Sequence, residues 1–115
     1  MAQLGSVFLP VTSPRAAAAW FSAAFGLAVS SLQEHAAVLD SPDREFRLTL
    51  MGPESGIAAR PGLTWATFSL LVDDLEAARK GLADRSPGPI SGDERTCLWF
   101  TVTDPDGNTL LVCDR

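Results

Sequence analysis

Side chains able to do chemistry are few in this chain. His35 is its only histidine, and Cys97 and Cys113 are its two cysteines. A serine or cysteine nucleophile needs a base held within hydrogen-bond reach, and with His35 alone, between Glu34 and Ala36 at an expected hairpin tip, no Ser-His or Cys-His pairing is expected. It reads first as an exposed turn residue. A metal held by His35 with Glu34, or by paired His35 residues across a dimer, and a ligand contact are the other readings. Neither cysteine has a sequence context that implies a lowered thiol pKa; both lie in apolar strand-like stretches and are read as reduced core residues. Glu45, Asp93 and Glu94 are candidate acid–base groups, though each reads more simply as a solvated loop or strand-edge charge.

Charge and length narrow the classes further. The formal charge is −5 with no cluster of Lys and Arg, so nothing is set to neutralise a row of phosphates, and nucleic acid is not an expected partner. The acidic balance favours cationic ligands but also serves solubility alone. No apolar run approaches the roughly 18 residues of a spanning helix, and Met1 to Gly5 lacks the basic start of a leader, so neither a membrane nor export is expected. Two cysteines are too few for a disulfide scaffold, which favours a cytoplasmic location.

Whatever site exists must be positioned by strands and helices with a clear repeat. Leu4 to Val11 alternates Val7, Leu9 and Val11 with Ser6, Phe8 and Pro10, the period of a half-buried strand. Pro10 cannot donate to a ladder, which predicts an edge. Ser13-Pro14 predicts a helix start, Ala16 to Phe25 an Ala-rich helix, and Gly26 its stop. Strands are predicted at Leu27–Leu32, Ala36–Asp40 and Glu45–Met51. The Pro- and Gly-rich stretch after Met51 reads as a connector. Then the order recurs: a strand at Trp65–Val72, a helix at Leu75–Asp84 capped by Asp73-Asp74, a ragged Ser86–Gly92, and a hairpin of Thr96–Val102 and Asn108–Cys113 across Asp104-Pro105-Asp106-Gly107. Setting Val11 on Val72 aligns Leu9 with Leu70 and Phe21 with Leu82. The predicted fold class is α+β, a single domain 1–115 of two tandem β-α-β-β-β modules, residues 1–52 and 63–115, joined by a linker 53–62.

The stretches VFLPVTSPRAAAAWF, FSLLVDDLEAA and DPDGNTLLV together resemble the vicinal oxygen chelate superfamily, the family of glyoxalase I, extradiol dioxygenases and bleomycin-resistance proteins. The resemblance spans essentially the whole chain, and DPDGN is its most specific piece. It implies an open cup-shaped mixed sheet with helices on the outer face. Metal-dependent members carry a His in the first strand of a module and a Glu in the last, donors that suit a divalent ion. Carried over by position, these fall on Ser6 and Thr67, and on Arg47 and Leu111, which cannot make the usual site. No metal and no cofactor is therefore expected.

Alternation sends the residues between the core positions into the cup. The expected ligand-binding residues are Phe8, Arg47, Thr49 and Met51 from the first module, and Trp65, Thr67, Ser69, Trp99, Thr101 and Leu111 from the second. Such a lining suits a flat, partly apolar small molecule, because indole faces stack and a few hydroxyls orient polar edges. Trp65 and Trp99 also fit core or dimer-interface roles. The leading expectation is a metal-independent binding protein, a homodimer by resemblance, that sequesters an aromatic or cationic compound such as an antibiotic. The alternative is a glyoxalase- or dioxygenase-like lyase or oxidoreductase with an atypical metal site.

Overall fold

The computed structural model describes Met1–Arg115. It contains two compact units, Met1–Pro61 and Gly62–Arg115. The first is built from β1 (Val7–Pro10), α1 (Pro14–Phe25), β2 (Ala28–Leu32), β3 (Ala36–Asp40) and β4 (Arg47–Met51); the second from β5 (Ser69–Leu71), α2 (Leu75–Gly81), β6 (Ser91–Asp93), β7 (Cys97–Thr103) and β8 (Thr109–Cys113). Each unit holds one four-stranded mixed sheet, in the orders β1-β4-β3-β2 and β5-β8-β7-β6. These are the same topology, so the α+β tandem is what the chain adopts. β1 runs parallel to β4 and β5 parallel to β8, while the other pairs are antiparallel. One backbone bond recurs in both units: Val11 N–H donates to the Met51 carbonyl (2.9 Å) and Val72 N–H to the Cys113 carbonyl (3.0 Å).

Local chemistry explains the helix ends. The Ser13 hydroxyl accepts from the Ala16 N–H at 3.2 Å, Pro14 occupies the first turn where no donor is missed, and Gly26 closes α1 at φ 70°. The helix buries Pro14, Ala17, Ala18 and Phe21, a stripe at three- and four-residue spacing, against β2, β3 and β4. With Leu9, Ala37, Leu39, Leu48 and Leu50 these form the core of the first unit. Trp20 stands edge-on to Phe21 with ring centres 5.0 Å apart. In the second unit Asp74 caps α2 through the Ala77 N–H at 3.0 Å, and Leu75, Leu82, Phe100, Val102, Leu110 and Val112 are the buried set. Pro10 does lie on an edge strand, as its missing donor requires.

Several element bounds differ from expectation. The segment expected to be strand from Glu45 starts only at Arg47, because Ser41 and Asp43 organise a turn: Asp43 accepts from the Ser41 hydroxyl and the Glu45 N–H, and Arg44 takes φ 61°. The second helix stops at Gly81 rather than Asp84 and passes into a short 3-10 turn at Ala83–Arg85. The expected strand Trp65–Val72 shrinks to Ser69–Leu71.

The DPDGN turn shows why that shortening occurs. Asp104, buried, accepts from the Asp106 N–H (2.9 Å), the Asn108 N–H (2.8 Å) and the Asn108 side-chain amide (3.0 Å). The Asn108 side-chain carbonyl accepts from Gly62 N–H and Leu63 N–H at 2.9 and 3.0 Å, and Thr109 N–H donates to the Leu63 carbonyl at 2.7 Å. Leu63 is thus pinned beside Thr109, while Ser69 is the register partner of Leu111. The chain advances six residues on one side against two on the other. The surplus has no ladder partners and must loop out.

Candidate functional site

In the first unit the face away from α1 carries what the core does not use. Register places Phe8 beside Thr49 and Thr49 beside Val38, Pro10 beside Met51, and Arg47 beside Asp40. Phe8, Arg47, Thr49 and Met51 therefore share one face. The Ser6 and Thr49 hydroxyls are 2.6 Å apart, and Ser6 also donates to the Arg47 carbonyl at 3.1 Å. Ser6 also lies 3.2 Å from the Val7 carbonyl, and either hydroxyl of the Ser6–Thr49 pair can be the donor. Arg47 reaches the Asp40 carboxylate through Nε at 3.5 Å with its side chain 57% exposed, a solvent-screened pair of little energetic weight. Asp40 was not singled out in the sequence, because its partner comes from a register that only the sheet reveals.

In the second unit the corresponding face holds Ser69, Leu111 and Thr101 in one row and Leu71, Cys113, Trp99 and Ser91 in the next. Four expected residues, Ser69, Trp99, Thr101 and Leu111, are brought together here. Leu71 is 63% and Trp99 37% exposed. Gly92 seats the Trp99 indole: a Cβ there would lie 3.0 Å from Cδ1 and 3.1 Å from Nε1, and 2.2 Å from the Cys97 carbonyl oxygen, and the residue holds φ 102°. A glycine inside a strand signals such a close approach, but the sequence does not say to what. Burial pushes the Cys113 thiol up to about 11, with the neighbouring Cys97 thiol acting in the same direction and the Ser69 hydroxyl against it.

Trp65 and Thr67 stand apart from this set. Both lie in the looped-out segment before β5, and Trp65 is 76% exposed. The alternation that would have given them a face does not operate there. His35 is exposed, and its backbone carbonyl accepts from the Gly52 N–H. Of the cysteines, Cys113 is buried but Cys97 only partly so, and both are free thiols. On α2 a groove of about 300 Å³ is lined by Glu76, Arg79, Lys80, Pro89 and Ile90. Its Arg79 is committed to the Gly88 and Pro87 carbonyls at 2.7 and 3.2 Å.

The sequence profile of the Glyoxalase/Bleomycin resistance protein/Dioxygenase superfamily matches residues 3–112. The chain belongs to this superfamily. No curated protein sequence matches it. Among solved structures, a glyoxalase/bleomycin resistance/dioxygenase superfamily member from Sphaerobacter thermophilus superposes with a TM-score of 0.78 at 19% identity, over 98% of this chain and 97% of that one. TnmS3, an antibiotic binding protein from a Streptomyces species, gives 0.77 at 18% identity over 97% and 94%. A bleomycin resistance determinant encoded on the transposon Tn5 gives 0.71 at 17% over 99% and 98%. At these identities the likeness is one of fold.

Metal-dependent members of the superfamily, as the sequence resemblance implied, need imidazole and carboxylate donors in the first and last strands of a module. The repeated register makes the positions comparable: Phe8 pairs with Thr49 as Ser69 pairs with Leu111. Thr49, rather than Arg47, is therefore the counterpart of Leu111 and the residue in contact with Ser6. Hydroxyls and a leucine do not fit a divalent ion of that kind. No group of three or more His, Cys, Asp or Glu side chains is placed to hold a metal. No helix is long and apolar enough to cross a membrane.

Proposed function

We propose that this chain is a metal-independent small-molecule binding protein of the glyoxalase/bleomycin-resistance type, a cytoplasmic homodimer that sequesters an aromatic or cationic compound, such as an antibiotic, without altering it. The observation that carries the reading is the composition of the two sheet faces. Phe8 (58% exposed), Leu71 and Trp99 leave large apolar surfaces open, beside the hydroxyls of Ser69 and Thr101 and the Ser6–Thr49 pair. Aromatic surface of this kind stacks on flat ligands, and the hydroxyls orient polar edges. A net charge of −5 favours a cation.

The reading of sequestration without conversion is supported by how the candidate reactive groups are placed. The exposed His35 has no nucleophile as a hydrogen-bond partner, and the Cys113 thiol is held protonated by burial. The Asp40 carboxylate is engaged by Arg47. The names carried by TnmS3 and by the Tn5 determinant, an antibiotic binding protein and a bleomycin resistance determinant, support the same class of ligand. Exposed apolar side chains such as Leu71 and Trp99, which share one face of the second sheet, also suit association with a second copy. The test is ligand binding to Trp99→Ala and Trp65→Ala with the fold verified by circular dichroism. Loss of affinity in Trp99→Ala supports the reading, and unchanged affinity in both variants contradicts it.

A further inference from the structure

Cys97 and Cys113 are brought together by the β7–β8 ladder. Trp99 stands opposite Cys113. Cys97, two residues before Trp99, projects from the same face and is the diagonal neighbour of Cys113. The two thiols also influence each other's protonation: after burial, Cys97 is the next cause that raises the Cys113 pKa, while the Ser69 hydroxyl lowers it. The Cys97 sulfur also lies 3.4 Å from the Arg115 carbonyl and 3.5 Å from the Leu98 carbonyl. Cys113 is buried and Cys97 partly exposed, so the pair is reached from the Cys97 side.

We infer that Cys97 and Cys113 form a two-coordinate site for a soft, thiophilic d10 cation of the Cu(I) or Hg(II) type. Thiolates select soft ions, and metal–sulfur bonds of about 2.3 Å place two sulfurs in line about 4.6 Å apart. Diagonal neighbours suit that span. Zinc is disfavoured because it takes four ligands and no third His, Cys, Asp or Glu joins the pair. Binding breaks two S–H bonds, forms two metal–sulfur bonds and releases two protons to solvent, with no change of oxidation state. This site does not depend on the organic ligand proposed above.

The test titrates the reduced full-length chain, without oxygen, with Hg(II) and separately with Cu(I), against glutathione as competitor. Stoichiometry is read by native mass spectrometry and proton release by pH-stat. The expected result is one ion and two protons per chain, with affinity falling about a hundredfold in Cys97→Ser, as loss of a second tethered ligand dictates. Cys97→Ser should fold because the side chain is partly exposed, and Ser69→Ala should retain the ion. Equal affinity in Cys97→Ser and wild type, one ion on each thiol, or an ion found only bridging two chains would overturn the inference.

Discussion

The Ser6 hydroxyl sits 2.6 Å from that of Thr49, where strand register brings the first and last strands of the first module side by side. Two neutral hydroxyls satisfy each other at a place where an imidazole and a carboxylate would hold a metal. Thr49 is buried, so the bond has structural weight. Thr49→Val should cost about 1 kcal/mol and Ser6→Ala a similar amount, whereas the double variant should cost clearly less than the sum. Urea denaturation of the four-member cycle measures the coupling; strict additivity would mean the hydroxyls do not interact.

Asn108 joins the hairpin to the segment leading into the second module. Its side chain accepts two backbone N–H groups and donates to Asp104 while fully buried. Asn108→Ala leaves those groups unpaired and should cost about 2–4 kcal/mol. Asn108→Asp keeps the acceptor but sets a second carboxylate against Asp104, and it should be no milder. Chemical denaturation checks both.

Gly92 is predicted to be intolerant. A methyl group there meets the Cys97 carbonyl at 2.2 Å and crowds the Trp99 indole, at a φ that side chains rarely adopt. Gly92→Ala should destabilise by about 2–3 kcal/mol. Because β6 is a three-residue edge strand, the loss should be concentrated in amide exchange at the β6–β7 ladder.

Asp104 gives stability an unusual pH component. Burial raises its pKa above the ordinary 3.8, outweighing the hydrogen bonds from Asn108. In the window between 3.8 and the raised value the folded chain binds more protons than the unfolded one, so this group makes the protein less stable as pH rises through it. Asp43 acts oppositely: hydrogen bonds from Ser41 and Glu45 lower its pKa, and its contribution is lost as pH falls. Asp104→Asn should be less stable throughout, since its amide opposes that of Asn108. The wild-type advantage should widen as pH falls through the raised pKa of Asp104 toward 3.8, measured by denaturation at a series of pH values.

Much of the fold is written in local signals. Ser13-Pro14, Gly26, Asp74 and the DPDGN turn each determine a boundary through their own chemistry, and period-two alternation correctly assigns Phe8, Thr49, Ser69, Trp99 and Thr101 to one side of their strands. What was not legible depends on distant partners. Trp65 looks like a strand residue until Asn108 pins Leu63 and leaves the intervening residues without a ladder. The equivalence of Thr49 with Leu111, the Asp40–Arg47 pair and the diagonal placement of Cys97 beside Cys113 all arise from register between strands. Gly92 looks like a loop glycine until Trp99 is laid over it.

The protein is proposed to bind its ligand without a metal and without turnover. The most direct measurement is to strip the purified chain with a chelator, remove the chelator, and titrate it with flat cationic aromatic compounds, bleomycin included, by calorimetry, recovering each compound for mass spectrometry. Saturable binding by at least one compound is expected, unaffected by stripping and weakened about tenfold or more in Trp99→Ala, with the compound recovered unchanged. Binding that returns only with an added divalent metal, or a recovered compound that is chemically altered, would contradict it.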